Sequence, residues 1–291
     1  MLMEQTPSSQ NWQPVNALKR PGVLRLWSYL AVAHGADTVM YFQWRRGRGG
    51  CEMFHGAVVE HGGTSSTRVF REVSELGAEL ERLGSAVIGG RTPARVAVMF
   101  DWNNWWAIDT AVGPIQDKQY VATVRRWYCV WVEEIDALYE GQTNRIVFAD
   151  GSGSFACSRL CEVVRPETAD VLATYGDDFY GGTPVVTRNQ FGAGCAYYVA
   201  TDPEDAFLDE FAKRLLAERR IEPPLEAPPG LEVALRERDA HTVLFLLNHS
   251  TEMAQVELPV DAQYRDLLRE MPVAGTVALE PRDVRILVHL Q

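Results

Sequence analysis

The sequence predicts an α/β protein, and three observations carry that prediction. Residues 1–88 read in the order strand, loop, helix, strand, loop, helix, which makes two βα units and favours a parallel sheet. Residues 89–222 continue with a mixture of strand and helix patterns. A proline-rich stretch at residues 223–230 then leads into short runs broken by turn residues up to residue 291, which indicates a small antiparallel β domain.

The first βα unit is predicted from an apolar run and a periodic helix. Met1–Met3 is expected to end a buried strand, and Glu4 follows it directly. After Pro21, apolar residues recur at three- and four-residue spacing, which is typical of one helix face. They are Val23, Leu24, Trp27, Leu30 and Ala31. Gly35 is the expected stop of this helix, because glycine tolerates the left-handed conformation at helix ends.

The second βα unit follows the same logic. Thr38–Trp44 is a run of β-forming residues long enough for a strand buried on both faces. A loop rich in glycine and arginine begins at Arg45. An amphipathic helix is then predicted from about Ser66 to Leu83, with Thr64 or Ser65 as its N-cap.

The remaining elements change in character along the chain. Arg95–Phe100 is expected to be a buried strand, Lys118–Trp131 a helix, and residues 204–219 another helix. Short strands between them are predicted at Ile146–Phe148, Leu160–Val164, Val171–Tyr175, Pro184–Arg188 and Ala196–Ala200, with Gly151–Ser154 as a hairpin turn. The tail is expected to form strands at Leu231–Glu237, Thr242–Asn248, Ala254–Leu258 and Val284–Leu290.

Composition narrows the function classes. Of 291 residues, 46% are hydrophobic, and the net charge is −11, so the surface repels phosphates and nucleic acid is disfavoured as a partner. No apolar run reaches the roughly 18 residues of a membrane helix. The N-terminus lacks the pattern of a secretory signal, which predicts a cytoplasmic location. The composition does not exclude neutral polar substrates such as sugars.

The cysteines do not indicate a metal site. Their number, five, is odd, and no pair has the spacing of a zinc site. We expect all five to be free thiols in a reducing compartment, with no metal or cofactor bound. They are Cys51, Cys129, Cys157, Cys161 and Cys195.

Candidate functional residues gather where the two predicted strands end. They are Glu4, Trp12, Phe42, Trp44, Glu52 and His55. In a (β/α)8 barrel the active site lies at the carboxyl ends of the strands. Carboxylates, a histidine and aromatic rings at one mouth suit a sugar, which offers hydroxyls and apolar C–H faces. Taken singly, each has a plainer interpretation: a solvated acid, core tryptophans, and a histidine bonded to backbone.

Longer motifs carry a family resemblance. Met3–Ser8 (MEQTPS) and Asn11–Pro14 (NWQP) are followed by Tyr41–Arg45 (YFQWR), Glu52–Gly56 (EMFHG) and Phe100–Trp106 (FDWNNWW). Together these segments resemble the β-galactosidases of glycoside hydrolase family 42. The resemblance implies a retaining enzyme that cleaves terminal non-reducing β-D-galactose residues from a small β-galactoside.

The resemblance also assigns roles to individual residues. It implies that Glu4 is the nucleophile, which attacks the anomeric carbon to give a galactosyl-enzyme. Trp12 matches the aromatic residue beside the galactose, and Phe42 matches an apolar wall. Glu52 and His55 match the pair that hydrogen-bonds the hydroxyls of the sugar.

For the fold, the resemblance implies three domains. Residues 1–88 would be the last two βα units of a (β/α)8 TIM barrel, and residues 223–291 a small β domain of sandwich type. Residues 89–222 would be a flavodoxin- or amidotransferase-like trimerisation domain that builds a homotrimer. After Trp127–Trp131 the chain passes directly to Val132–Asp136, which resembles a much later part of that domain, so its middle is expected to be deleted.

One part of the family's chemistry has no match in these residues. The acid/base of the family is a glutamate preceded by asparagine, and no Asn-Glu dipeptide occurs here. The 291 residues alone are therefore expected to be inactive, either as a gene or protein fragment or as a degenerate paralogue. The alternative function is a noncatalytic oligomerisation or sugar-binding remnant. A cysteine amidotransferase using Cys195 is disfavoured, because Ala196–Val199 reads as a strand rather than as a helix after a tight elbow.

Overall fold

The computed structural model describes residues 1–98, 102, 131–239 and 241–290, which fall into two units. One unit joins Met1–Ala94 to Pro223–Gln291, and the other comprises Arg95–Glu222. In the described part of the chain, no helix has the length and apolar character needed to span a membrane.

The first 94 residues form two βα units, as predicted. The elements are β1 (Leu2–Gln5), α1 (Val23–Ala33), β2 (Val39–Tyr41) and α2 (Arg68–Val87). Strands β1 and β2 pair in parallel. Their carboxyl ends therefore lie at the same edge of the sheet, which is the arrangement that a barrel uses to build an active site.

The ends of the two helices have local causes. Helix α1 ends at Ala33 with His34 as its C-cap, and Gly35 follows with φ +102°, so the predicted stop is confirmed. Helix α2 begins at Arg68, two residues later than expected. The hydroxyl of Thr67 accepts a hydrogen bond from the backbone N–H of Phe70, which makes Thr67 the N-cap in place of Thr64 or Ser65.

The predicted burial of the two strands is wrong. Strand β2 covers only Val39–Tyr41 of the expected Thr38–Trp44, and Met40 is 45% exposed. On β1 the side chain of Met3 is 69% exposed. The physical reason is that β1 and β2 pair only with each other within the described residues, so neither strand has a second neighbour to cover it.

Residues 131–222 form an antiparallel sheet with one helix. The strands are β3 (Trp131–Ala137), β4 (Asn144–Phe148), β5 (Ser154–Arg165), β6 (Asp170–Tyr175), β7 (Pro184–Phe191), β8 (Gly194–Val199) and β9 (Thr201–Pro203), and helix α3 is Asp205–Glu218. The sheet order is β3-β5-β4-β6-β7-β8, with β9 beside β5. All five predicted strands, the hairpin turn and the helix are confirmed.

Two elements predicted before Asn144, the strand at Arg95–Phe100 and the helix at Lys118–Trp131, differ from the structure where the structure describes them. Arg95–Val98 has no regular structure, and Val98 is 71% exposed, so the expected buried strand is wrong over these residues. No described strand pairs with this segment, and a strand needs a neighbour to satisfy its backbone. Of the helix expected at Lys118–Trp131, residues 118–130 lie outside the described part, and Trp131 begins a strand.

The C-terminal residues form the expected antiparallel β domain. Its strands are β10 (Leu231–Arg238), β11 (His241–Asn248), β12 (Ala254–Glu257), β13 (Gln263–Asp266), β14 (Met271–Val273), β15 (Thr276–Leu279) and β16 (Val284–Leu290). Five strands pair in the order β10-β11-β16-β13-β14, and β12 pairs with β15. The four predicted strands are confirmed, whereas the short strands β13 to β15 are additional to the sequence prediction.

Helices α1 and α2 pack on one face of this β domain. Tyr29 of α1 and Leu83 of α2 share a buried cluster with Phe245 of β11 and Ile286 of β16. The buried face of α1 differs from the predicted one, because Trp27 is 47% exposed. The buried residues of α1 are Leu24, Leu26, Ser28, Tyr29, Val32 and Ala33.

Four cysteines lie in the described residues, and all four are free, as expected. Cys157 and Cys161 are buried in the core of the second unit, Cys195 is half-buried on β8, and Cys51 is exposed. Cys129 lies outside the described part of the chain. Among the described residues, no group of three or more histidine, cysteine, aspartate or glutamate side chains is arranged to hold a metal ion.

Candidate active site

The loops that follow β1 and β2 are joined to each other by backbone hydrogen bonds. The N–H of Phe42 donates to the carbonyl of Gln5 at 3.1 Å, at the very ends of the two strands. Farther along, the N–H of Gly56 donates to the carbonyl of Ser9 at 2.7 Å. The side-chain amide of Asn11 also donates to a carbonyl in the second loop. The two loops therefore form one connected surface at the carboxyl edge of the sheet.

Gly56 is the point of closest approach between these loops. A Cβ atom placed on this residue would lie 2.2 Å from Oγ of Ser8 and 2.8 Å from the backbone nitrogen of Ser9. No side chain fits at such distances, so glycine is needed here for its lack of a side chain. The position next to His55 is thus fixed by backbone packing.

His55 is held in one orientation inside this surface. Its side chain is 2% exposed, and Nδ1 lies 2.9 Å from the carbonyl oxygen of Gly56. Because a carbonyl only accepts, this contact places the proton on Nδ1. Nε2 lies 3.4 Å from Oγ1 of Thr6, two residues after Glu4. The ring packs edge-on against Phe42 with a centroid distance of 5.0 Å.

Two buried polar atoms near His55 have no hydrogen-bond partner among the described residues. They are Oε2 of Glu52 and Nε2 of Gln43. Glu52 is tied to the histidine by a turn in which the N–H of His55 donates to the carbonyl of Glu52 at 3.1 Å. Gln43 directly follows Phe42, and its carbonyl accepts from the N–H of Val58 at 2.9 Å. An unpartnered buried carboxylate oxygen and an unpartnered amide are unusual, and both are costly unless a ligand or further chain satisfies them.

Arg46 braces the loop that carries Glu52 and His55. Its guanidinium donates to the carbonyls of Met53 and Phe54 at 3.3 and 2.9 Å. The same group forms an ion pair with Glu60 at 2.8 Å. One side chain thus satisfies two carbonyls of an irregular segment, which fixes the loop without regular secondary structure.

Lys19 holds the loop that follows β1 by a hydrogen bond to its backbone. Its ammonium group donates to the carbonyl of Thr6 and lies 4.9 Å from the centre of the Trp27 ring. Burial lowers the pKa of Lys19 to about 8, since desolvation disfavours the charged form.

The structure places the predicted site residues in different settings. Phe42 and His55 are in contact, Glu52 is connected to His55 by the turn, and Glu4 is exposed at the end of β1. The Trp12 ring is 65% exposed and contacts none of the other aromatic rings in the described residues. Trp44 is likewise 68% exposed, so neither tryptophan is a core residue.

Sequence reasoning missed Gln43 and Thr6 as members of this surface. Gln43 lies in the motif YFQWR and Thr6 in the motif MEQTPS. No periodic signal distinguishes a buried polar side chain in a loop from an exposed one. The signal that could have identified them is proximity in sequence, because each lies within two residues of a predicted site residue.

Family models match nearly the whole chain in three parts. The model described as beta-galactosidase of glycoside hydrolase family 42 matches residues 1–83. The trimerisation-domain model of the same family matches two segments, 94–130 and 129–222. The C-terminal-domain model matches residues 230–289. The two trimerisation segments meet at residues 129–130, where the sequence predicts a deletion.

Curated relatives and solved structures agree with these matches. A beta-galactosidase from Planococcus sp. (strain L4) is 38% identical over 373 residues, covering 100% of this chain and 55% of the relative. One from Clostridium perfringens is 34% identical, covering 98% and 54%. The crystal structure of the beta-galactosidase from Bacillus circulans sp. alkalophilus matches with a TM-score of 0.85 at 39% identity, covering 100% and 55%. A GH42 beta-galactosidase from G. stearothermophilus matches with a TM-score of 0.83 at 28% identity, covering 100% and 54%.

The parallel βα units and the three matched domains place this chain in the class of glycoside hydrolases. The three consecutive family matches, together with a likeness to family members over the whole of this chain, identify the family. The chain belongs to glycoside hydrolase family 42, the β-galactosidases. It spans about 55% of the length of the relatives it matches.

Proposed function

We propose that the chain carries the nucleophile side of a retaining β-galactosidase site. The observation that supports this is the connected surface at the carboxyl ends of β1 and β2. Glu4 stands at the end of one strand, and the loop after the other strand places His55 beside Thr6, two residues after Glu4, with Glu52 joined to His55 by a turn. A carboxylate at the carboxyl end of a parallel barrel strand has the position that the nucleophile of glycosidic bond cleavage requires.

In the proposed reaction, Glu4 attacks the anomeric carbon of the galactose unit. The glycosidic bond breaks as the carboxylate oxygen bonds to that carbon, which gives a covalent galactosyl-enzyme with inverted configuration. Water then displaces the carboxylate from the opposite face and restores the original configuration. The exposure of Glu4 on β1 leaves its carboxylate free to approach a substrate.

The neighbouring residues would bind the galactose unit. Phe42 supplies an apolar wall for the C–H face of the ring, and Trp12 lies exposed in the adjoining loop. Glu52 and His55 would bind hydroxyls, and their fixed positions matter for specificity. A buried polar group left unpaired by the wrong epimer is costly, so a rigid pair discriminates between sugars.

The proton for the leaving group would come from a second carboxylic acid. Without that proton the departing oxygen leaves as an alkoxide, and acid–base assistance typically contributes about 10²–10⁴-fold to the rate. The family's Asn-Glu pattern does not occur in these 291 residues. The family resemblance implies that this acid lies on an earlier strand of the barrel, and the matched region covers only 55% of the Planococcus relative.

Complementation tests this proposal. The chain is assayed with a chromogenic β-galactoside, alone and mixed with a polypeptide carrying the barrel segment of the Planococcus relative that this chain does not match. We expect turnover in the mixture only, abolished by Glu4→Gln. Glu75→Gln, an exposed glutamate on α2, is the matched control and should leave the activity unchanged.

The other outcomes are equally informative. Galactose binding without turnover under both conditions would favour the alternative, a noncatalytic oligomerisation or sugar-binding remnant. Full activity in the Glu4→Gln mixture would exclude Glu4 as the nucleophile.

A further inference from the structure

We propose that Gln43 is a further sugar-binding residue of this site, donating a hydrogen bond from its side-chain amide to a galactose hydroxyl. This inference rests on the proposed function and extends it to a residue outside the predicted set. The observation behind it is the pair of buried polar atoms that the fold leaves without partners, Nε2 of Gln43 and Oε2 of Glu52.

The two atoms stand out against the rest of the chain. In the described residues only one other buried side-chain nitrogen or oxygen lacks a hydrogen bond, Nε of Arg236. The remaining donors of that guanidinium are all bonded to the protein. Desolvating an amide without a partner costs about 1–3 kcal/mol, so a native protein keeps such groups mainly where something else satisfies them.

The chemistry of the two atoms is complementary to a sugar. The amide nitrogen of Gln43 can only donate, and the carboxylate oxygen of Glu52 can only accept. A hydroxyl does both, so neighbouring sugar hydroxyls can satisfy one atom of each kind. Phe42, directly before Gln43, contacts the ring of His55, so Gln43 belongs to the backbone segment that packs against one member of the predicted sugar-binding pair.

The backbone holds Gln43 in position before any ligand binds. Its carbonyl accepts from Val58, and the carbonyl of the next residue, Trp44, accepts from Val59 at 2.7 Å. Two successive hydrogen bonds fix the backbone of this segment, and the burial of Nε2 restricts the side chain that carries it. Such preorganisation is what makes a single hydrogen bond effective in recognition.

The test compares galactose with its monodeoxy analogues. Binding to the complemented chain is measured by calorimetry for galactose and for the 2-, 3-, 4- and 6-deoxy sugars, with the original sequence and with Gln43→Met. We expect Gln43→Met to weaken galactose binding roughly 10- to 100-fold. For one deoxy sugar the substitution should cause no further loss, because the bond is already absent. Gln255→Met, an exposed glutamine on β12, is the matched control.

A second variant guards against loss of folding. Gln43→Glu keeps the shape of the side chain but replaces the donor by an acceptor, and it should show the same insensitivity to the same deoxy sugar. Unchanged galactose affinity in both variants would overturn the role of Gln43. So would affinity losses from the substitution and from the missing hydroxyl that add independently for every deoxy sugar. Either outcome would leave the proposed function standing. Failure of the original complemented chain to bind galactose would overturn the proposed function itself.

Discussion

At the residue scale, Gly56 and Lys19 fix the geometry on which the site depends. Gly56 allows the loop after β2 to touch Ser8 and Ser9, and Lys19 holds the carbonyl of Thr6. Thr6 in turn contacts the ring of His55. Neither Gly56 nor Lys19 is proposed to touch the sugar, so each can be tested through stability as well as through binding.

Gly56→Ala is expected to separate the two loops. The added methyl group would lie 2.2 Å from Oγ of Ser8, so the backbone must move, at a cost of about 1–3 kcal/mol in the free energy of unfolding. Denaturant unfolding measures this change. Gly62→Ala is the control, since a Cβ there meets nothing within 4 Å. Equal stability of the two variants would contradict the close packing at Gly56.

Lys19 makes the stability depend on pH. Its pKa is about 8 in the folded chain, below the ordinary value of 10.5, so the unfolded chain holds a proton that the folded chain releases between these values. The contribution of Lys19 to the free energy of unfolding therefore rises between about pH 8 and 10.5. Below pH 8 the folded chain bears the full cost of burying the charged ammonium group. In Lys19→Met this rise should be smaller.

Chemical denaturation at a series of pH values measures that difference. Lys213→Met, on the exposed side of α3, is the matched control and should follow the original chain. Identical pH profiles for Lys19→Met and the original chain would show that Lys19 titrates as an exposed lysine.

At the scale of elements, one arginine connects helix, loop and sheet. Arg236 of β10 is 1% exposed. Its guanidinium donates to the carbonyls of Val32 and Ala36 at 3.1 Å, to that of Gly90 at 2.8 Å, and to the carboxylate of Asp37 at 2.7 Å. This side chain therefore connects the end of α1 to the segment after α2 and to the β domain. It also lowers the pKa of Asp37 by a direct hydrogen bond.

Arg236→Met should destabilise the first unit by about 2–3 kcal/mol. Methionine fills a similar volume, but three carbonyls lose a charged donor, and bonds to charged groups contribute about 1.5–3 kcal/mol. Thermal or denaturant unfolding measures the loss. Arg265→Met, an exposed arginine without an ion pair in the described residues, is the control. A loss no larger than in the control would mean that the buried charge offsets its own hydrogen bonds.

The helices also show which parts of this fold the sequence can predict. The order of elements and the four strands of the tail follow from apolar periodicity and turn residues, which are local signals. The buried face of α1 does not, because Tyr29 packs against α2 and the β domain and donates a hydrogen bond to Glu79 of α2, 50 positions away. The site residues within sequence motifs are likewise predictable, because a motif is a local signal. The position of Gln43 is not, because its segment is held by backbone hydrogen bonds to Val58 and Val59.

At the scale of the whole molecule, the first unit is assembled from both ends of the chain. Leu26 and Leu83 of the helices share one cluster with Val243 and Phe245 of the β domain. The second unit has a separate core within residues 146–207, built around Ile146, Tyr175 and Phe207.

Removal of residues 223–291 should therefore unfold α1 and α2 while leaving the second unit intact. Hydrogen exchange followed by mass spectrometry is the measurement, and amides of both helices are expected to lose their protection. Strands β4 to β8 serve as the internal control and should stay protected. Persistent protection of α1 and α2 in the shortened chain would contradict the joint core.

Covalent trapping tests the central claim most directly. The complemented chain is treated with 2,4-dinitrophenyl 2-deoxy-2-fluoro-β-D-galactoside, whose leaving group departs without a proton and whose fluorine slows hydrolysis of the galactosyl-enzyme. Peptide mass spectrometry then locates the sugar. We predict a single 2-fluorogalactosyl ester on Glu4, and none in Glu4→Gln. An ester on another carboxylate, or none in a mixture that hydrolyses the chromogenic β-galactoside, would contradict the assignment of Glu4 as the nucleophile.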